Sequence, residues 1–371
     1  MKEKYFLLGL ILFVTACRSG IRKVEADIVR PVLPVLTMKE VNPVLKIQLI
    51  RKEPVDYTIG KVTLSLQGTT DIGDIENVCL YHAKKNGGID AKRPATTPTG
   101  ASETVSFDMT MPVSSDTLAL WVSIKLKGKI DLDHRFNVSC RELETSEGTL
   151  KIRRTITPGL RAGVAVRQHK QEGVHTSRIP GLATSKRGTL LAIYDARYEN
   201  SRDLQGHIDI GLSRSTDGGQ TWQPMQVVLD MKEWGGLPEK YNGVSDACIL
   251  VDDDTGTIYV AGLWMHGVLD GKTGKWVEGL TRDSTRWIHQ WQAKGSQPGL
   301  GVRETCQFLI AKSTDDGLTW SEPVNITAQT KRREWWLFAP APGHGITLQD
   351  GTLVFPTQGR DRNGLPFSNI T

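Results

Sequence analysis

The chain is poor in cysteine, and its five, Cys17, Cys79, Cys140, Cys248 and Cys306, form no C-x-x-C pair. That excludes the usual zinc-ribbon and dithiol redox motifs, and the four cysteines after Cys17 are expected as buried free thiols. Charge of one sign is also scarce. With 46 Lys and Arg against 41 Asp and Glu, the net charge is +5 over 371 residues, too weak a bias to argue for a nucleic-acid partner. H-E-x-x-H, G-x-x-x-x-G-K-[ST] and G-x-S-x-G are all missing, so zinc-protease, P-loop and nucleophile-elbow chemistries lack their signatures. No metal and no cofactor is expected. Asp252-Asp253-Asp254 is acidic enough for calcium, but with Thr255-Gly256 behind it the run reads better as a hairpin turn. What is there is an ordinary globular composition, 39% hydrophobic and 23% charged, which excludes disorder over the whole chain. Of the ten Trp, Trp121 stands alone in the first half and nine lie between Trp222 and Trp336, a first sign of two unlike domains.

The start of the chain reads as an address. Lys2 and Lys4 precede a short apolar run, residues 6–14, too short to span a bilayer as a helix. The run ends in Val14-Thr15-Ala16-Cys17, which resembles the lipobox of bacterial lipoproteins. The resemblance implies that residues 1–17 are a lipoprotein signal with lipidation at Cys17. The mature protein would then be exported and lipid-anchored to the bacterial membrane, periplasmic or at the cell surface.

Residues 36–152 alternate in the β manner, with clear strands at 44–50, 61–66, 78–81, 104–109, 117–127 and 148–152. Short strands between polar turns predict a β-sandwich. Nothing in it carries catalytic chemistry, so its expected role is accessory, either carbohydrate binding or a spacer.

A repeated unit organises the rest. Ser215-Thr216-Asp217-Gly218-Gly219-Gln220-Thr221-Trp222 recurs as Ser313-Thr314-Asp315-Asp316-Gly317-Leu318-Thr319-Trp320. Each copy of S-x-D-x-G-x-T-W follows an apolar strand, and each is preceded by a hairpin, residues 181–197 and 247–264. Asp bonds back to a turn, Gly supplies positive φ, and Trp packs between layers. The unit is therefore a four-stranded antiparallel blade, and residues 160–371 hold the first two blades and part of a third of a β-propeller. Because two and a half blades cannot close a ring, the sequence is expected to be the front part of a longer protein. Between the second and third strands of blade two, residues 265–303 form a long insertion with Trp276, Trp287, His289 and Trp291. It reads either as a sugar-stacking lid or as a loop whose Trp pack onto the propeller.

The two boxes together with Ser177-Arg178-Ile179-Pro180, Tyr194-Asp195-Ala196-Arg197, Asp203-Leu204-Gln205 and the run from Gly351 to Gln358 resemble the bacterial exo-α-sialidase (neuraminidase) family, Bacteroides type, with an N-terminal accessory domain. The resemblance implies an all-β protein: an N-terminal β-sandwich followed by a six-bladed propeller with its site at the axis. It implies hydrolysis of terminal sialic acid on glycoproteins, glycolipids and oligosaccharides, including ganglioside catabolism. Arg178 matches the first of three arginines that bind the sugar's carboxylate, whose planar fork suits that anion. Asp203 matches the acid/base that protonates the leaving oxygen. Arg197 and Asp246 match residues lining the sugar's O4 side, although Arg197 also reads as the ion-pair partner of Asp195, and Asp246 as a turn residue. Trp264 matches an aromatic of the N-acetyl pocket. Asp217 and Asp315 are structural in the family. The family's nucleophile is a Tyr assisted by Glu, and no residue up to Thr371 matches these two or the other two arginines, so the 371-residue polypeptide alone is expected to be inactive. A non-catalytic sialoglycan-binding Asp-box protein and an intramolecular trans-sialidase are the alternatives.

Overall fold

Alternation of apolar and polar residues sends one face of nearly every strand into a core, and the longest helix described, Thr327–Thr330, has four residues. The computed structural model describes residues 23–152, 158–270, 272–273, 275–285, 287–289 and 296–371. Cys17 and Trp291 lie outside these residues. The chain divides into two units, Met1–Ala165 and Val166–Thr371.

The first unit has a five-stranded and a four-stranded sheet, with a smaller three-stranded one. In the larger sheet Asn42–Arg51 pairs with Thr117–Leu126, setting Ile47 opposite Leu120 and Leu49 opposite Leu118. In the other, Tyr57–Ser65 pairs with Thr104–Val113, setting Val62 opposite Phe107. Ile47, Leu49, Val62, Leu64, Leu120 and Val122 are all fully buried in one cluster, and each such side chain contributes about 1.5–3 kcal/mol by leaving water. The unit is wider than residues 36–152. Val24–Val29 pairs antiparallel along Asn42–Arg51, and Leu160–Gly163 pairs with Val35–Leu36 and with Arg135–Phe136. The first is an edge strand with a single fully buried residue. The second is held by pairings two residues long, which no local pattern announces.

The second unit is built of blades. Thr176–Thr184, Leu190–Arg197, Ile208–Ser215 and Gln226–Leu229 pair in that order as one antiparallel sheet. Val244–Val251, Ile258–Trp264, Gln307–Ser313 and Val324–Asn325 repeat the arrangement. A third sheet holds Leu337–Pro340, Pro356–Arg360 and Pro366–Ile370, with a small hairpin of Ile346–Thr347 and Leu353–Val354 beside it. The first strands of neighbouring blades, the inner strands, lie against one another. Cys248 and Ile249 pair in parallel with Gly343 and His344. A Cβ on Gly181 would collide with the Gly343 carbonyl oxygen, so the backbone approaches too closely there for any other residue.

Both inner strands carry the same irregularity. From Arg178 to Gly181, three steps of chain face two steps of the neighbour, and so do those from Ser245 to Cys248. Each β-bulge includes a non-glycine residue at positive φ, Ile179 at 55° and Asp246 at 56°. A bulge bends its strand and re-aims side chains.

The boxed turns close alike. Thr221 donates to both oxygens of Asp217, its N–H at 2.9 Å and its Oγ1 at 2.6 Å, and Ser215 Oγ adds a third bond at 2.8 Å. Thr319 and Ser313 do the same for Asp315 at 2.9, 2.6 and 2.7 Å. The bonds from Thr221 hold the Asp217 carboxyl down to about 2. Asp252 likewise caps its hairpin turn, accepting from the N–H of Asp254 and from Thr255 Oγ1. Cys79, Cys140, Cys248 and Cys306 are free and buried, and burial pushes the Cys140 and Cys248 thiols up to about 12.

Asp316 in the second box does something its counterpart Gly218 cannot. It reaches the first blade, where its Oδ2 accepts from Thr189 Oγ1 at 2.6 Å and from Arg214 Nη2 at 2.9 Å. With Arg214 and Asp316 both buried, removing one partner strands the other charge. Asp316→Ala is expected to lower the unfolding free energy by about 3 kcal/mol, read as a shifted urea midpoint. An unchanged midpoint would show that the staple contributes nothing.

Candidate active site

Strand direction decides which residues meet. Arg178 pairs with Asp195 near the start of the inner strand and the end of its neighbour, while Arg197 pairs with Ile208. The loop from Tyr198 to His207 therefore leaves and re-enters at the same end, and it carries Asp203. The box lies at the far end of Ile208–Ser215, roughly 24 Å away at strand rise. Blade two repeats the plan: Ser245 and Asp246 begin its inner strand, and Trp264 ends the next, opposite Val244. Trp264 thus holds the position of Arg197, and the long insertion that of the Asp203 loop.

Arg178, Asp203 and Arg197 converge. Arg197 Nη1 lies 2.5 Å from Asp203 Oδ1, and Arg178 Nη1 lies 3.8 Å from the same oxygen. The Arg178 and Asp203 side chains are 49% and 59% exposed, whereas that of Arg197 is 1% exposed. Two half-exposed groups of opposite charge, available to a solute, stand over a buried guanidinium. Arg197 also pairs with Asp195, donating from Nε at 3.2 Å and Nη2 at 2.8 Å to one carboxylate oxygen. Its Nη1 donates further to the Ser201 carbonyl at 2.9 Å.

Asp246 sits on the bulge of blade two and reaches the third sheet. Its Oδ2 accepts from Gln358 Nε2 at 2.8 Å, and its own backbone N–H donates to Asp195 Oδ1 at 3.1 Å. Ser245 Oγ donates to Asp195 Oδ2 at 2.7 Å. Burial pushes the Asp195 carboxyl up to about 6 against the pull of Ser245 and Arg197, and burial also raises that of Asp246.

The Asp203 loop is pinned on several sides. Leu204, at φ 44°, is buried in a cluster with Leu263, Met265 and Leu337. Gln205 clamps the insertion, accepting from the His289 N–H and donating to the Trp287 carbonyl, each at 3.1 Å. At its base the Tyr198 ring stacks on His207 at 4.2 Å. His207, Asp209 and Glu239 hold donor atoms within 4.8 Å of one another and could hold a cation, as could Asp71, Asp74 and His134 in the first unit. In each trio the imidazole is already against a carboxylate, at 3.0 and 2.7 Å.

Trp264 is 2% exposed and packs edge-on to Trp234 with ring centroids 4.9 Å apart. It joins the core shared by blades one and two, and its aromatic neighbours are Trp234 and His266. In the insertion, Trp287 packs on Tyr241 at 4.7 Å and Trp276 on His266 at 5.9 Å, the contacts of Trp that pack a loop onto its support. Sequence reasoning did not single out Ser245, which bonds Asp195, and met Gln358, which bonds Asp246, only as the end of the Gly351–Gln358 run. Asp195 was visible as the i−2 neighbour of Arg197 on one strand face, but only as its ion-pair partner.

Residues 179–370 match the family model of the BNR repeat-like domain, and residues 23–116 that of the N-terminal domain of BNR-repeat neuraminidase. A sialidase of Bacteroides fragilis is 34% identical over 400 aligned positions, covering all of this chain and 69% of that protein. A sialidase of Paraclostridium sordellii is 32% identical over 188 positions, covering 49% of this chain and 39% of its own length. Among solved structures, the Hadza microbial sialidase Hz136 superposes with a TM-score of 0.78 at 31% identity, over 92% of this chain and 68% of that one.

Proposed function

Because the chain belongs to the BNR-repeat sialidase family, whose blades are those of a sialidase β-propeller, we propose that it acts as an exo-α-sialidase with Asp203 as acid/base and Arg178 in the carboxylate-binding cluster. The observation that carries this reading is the half-exposed Asp203 carboxylate set between two guanidinium groups at the open end of the inner strands. A terminal sialic acid offers two demands there. Its carboxylate calls for a fork of N–H donors, which Arg178 presents. Its glycosidic oxygen calls for a proton as the bond breaks, which Asp203 supplies and later takes back from water. Arg197 and Asp246 line the O4 side. The substrates are sialylated glycans of glycoproteins, glycolipids and oligosaccharides, gangliosides among them. Incubation of the full-length protein with sialyl-lactose and with an aryl sialoside tests the reading. Free sialic acid is the expected product. An anhydro product would make the enzyme an intramolecular trans-sialidase, and no release from either substrate would leave a sialoglycan-binding role.

The resemblance of Val14-Thr15-Ala16-Cys17 to a lipobox supports export and lipid anchoring to the bacterial membrane at Cys17. In the native host, Cys17→Ser is expected to abolish incorporation of labelled palmitate and to move the protein from the membrane to the soluble fraction. Equal labelling of both forms would refute the anchor.

A further inference from the structure

Asp203 lies on the loop from Tyr198 to His207, and more than half of its side chain is exposed. A proton donor so placed takes its position from the backbone beneath it, and that backbone is held in an uncommon shape. Leu204 stands at φ 44° and Gly206 at φ 116°. A non-glycine residue at positive φ persists only where its surroundings keep it there. One hold is apolar: the Leu204 side chain is buried among Leu263, Met265 and Leu337. The other is polar and comes from the next residue. The Gln205 side-chain amide lies along the backbone of the long insertion, its Oε1 accepting from the His289 N–H and its Nε2 donating to the Trp287 carbonyl, each at 3.1 Å. That partner is itself fixed. The Trp287 ring packs edge-on to Tyr241, whose hydroxyl donates to the Thr281 carbonyl. His289 is buried, pairs with Val268, and sets its Nε2 2.9 Å from the Met265 carbonyl oxygen. Before Asp203, Arg197 Nη1 donates to the Ser201 carbonyl at 2.9 Å, and Asn200 Nδ2 to the Gln205 carbonyl at 3.0 Å. The chain is therefore tied to blade one on one side of Asp203 and to the insertion of blade two on the other.

We propose that Gln205 is a positioning residue for the acid: its amide fastens the Asp203 loop of blade one to the insertion of blade two, and the insertion is the scaffold on which the proton donor is aimed. The proposal rests on reading Asp203 as the acid. Gln205 acts through the backbone two residues after Asp203, not on the reacting atoms. The role accounts for the inward packing of Trp287, because a support must be more rigid than the loop it holds. It also accounts for the use of a side-chain amide, which alone among uncharged side chains with Asn offers a donor and an acceptor side by side, as a peptide group does.

Gln205→Ala in the full-length protein removes both bonds and leaves Arg178, Arg197 and Asp203 unaltered. Hydrogen exchange followed by mass spectrometry tests the clamp without turnover. The loop from Tyr198 to His207 and the His289 amide are expected to exchange about tenfold faster or more than in the wild type, with the strand Ile208–Ser215 unchanged. Unchanged exchange in the loop overturns the proposal. In the kinetic arm, kcat/KM on sialyl-lactose is expected to fall about 10–100-fold, as for a catalytic group displaced by up to about 1 Å. On an aryl sialoside, whose leaving group needs little protonation, it should fall less than about threefold. An equal fall on both substrates, or equal acceleration of exchange in loop and strand, would reduce Gln205 to a folding role. Asp203→Ala separates this proposal from the reading beneath it. Equal losses on the two substrates for Asp203→Ala reject the acid, whereas a selective loss there beside an equal loss for Gln205→Ala rejects only the clamp. Added to Asp203→Ala, Gln205→Ala should cost less than about twofold on sialyl-lactose, because the group it aims is already gone. A further loss as large as in the wild type would overturn the positioning role. If Gln205→Ala does not fold, Gln205→Glu keeps the volume but sets a carboxylate oxygen, with no proton to donate, against the Trp287 carbonyl. The same selective loss is then expected, and wild-type rates would overturn the clamp.

Discussion

Replacing Asp203 by alanine in the full-length protein is expected to slow release of sialic acid from sialyl-lactose by about 10²–10⁴-fold, the usual contribution of a positioned proton donor. The loss should be much smaller on an aryl sialoside, whose phenolate leaves without help. The fold should survive, because Arg197 keeps its bonds to Asp195 and to the Ser201 carbonyl, and Asp203 is exposed. The ratio of the two losses is the diagnostic quantity. A structural effect would lower both rates alike, whereas loss of the acid lowers only the rate that depends on protonation. Equal losses on the two substrates would remove Asp203 from the role of proton donor.

The second large effect belongs to Arg178. Arg178→Ala is expected to lower kcat/KM by about 10²–10³-fold on both substrates, since each presents the same carboxylate and each loses a charge-assisted pair of bonds. Arg178→Lys restores the charge but not the planar fork, and should recover only a small part. Stability should move by less than about 0.5 kcal/mol, as for an exposed residue away from the core. Full recovery with lysine would mean that a point charge suffices and that the guanidinium geometry is irrelevant. The contrast with Asp203 is built in: truncating the clamp should not discriminate between leaving groups, and truncating the acid should.

Much of the architecture was legible because its determinants are local. The hairpin between the first two strands of blade one turns where Gly188 takes φ 82°, and that of blade two where Gly256 takes φ 75°. The boxed turns are closed by their own Ser, Asp and Thr, so the repeat in the sequence is a repeat in the structure. Arg178, Arg197 and Asp203 could be singled out because short motifs carry them. The strand Leu160–Gly163 was not legible. It is held by pairings with segments more than twenty residues away in the chain, and its own residues have no pattern that demands a strand. Trp264 was legible as an aromatic at the right end of its strand, but its burial was not, because an aromatic at such a position serves a pocket and a core equally well.

By itself, then, the sequence determined the strands, the turns, the repeat and the identity of the charged groups, all of which depend on neighbours a few residues apart. Only the tertiary structure decided how those groups meet. Asp195 finds Ser245 and the Asp246 N–H across two blades, Asp246 finds Gln358 across a third, and Asp316 finds Arg214 from the far rim. Contacts between residues fifty to more than a hundred positions apart leave no periodic trace in a chain. They follow from packing, from two bulges that turn the inner strands, and from the preference of a buried charge for a partner.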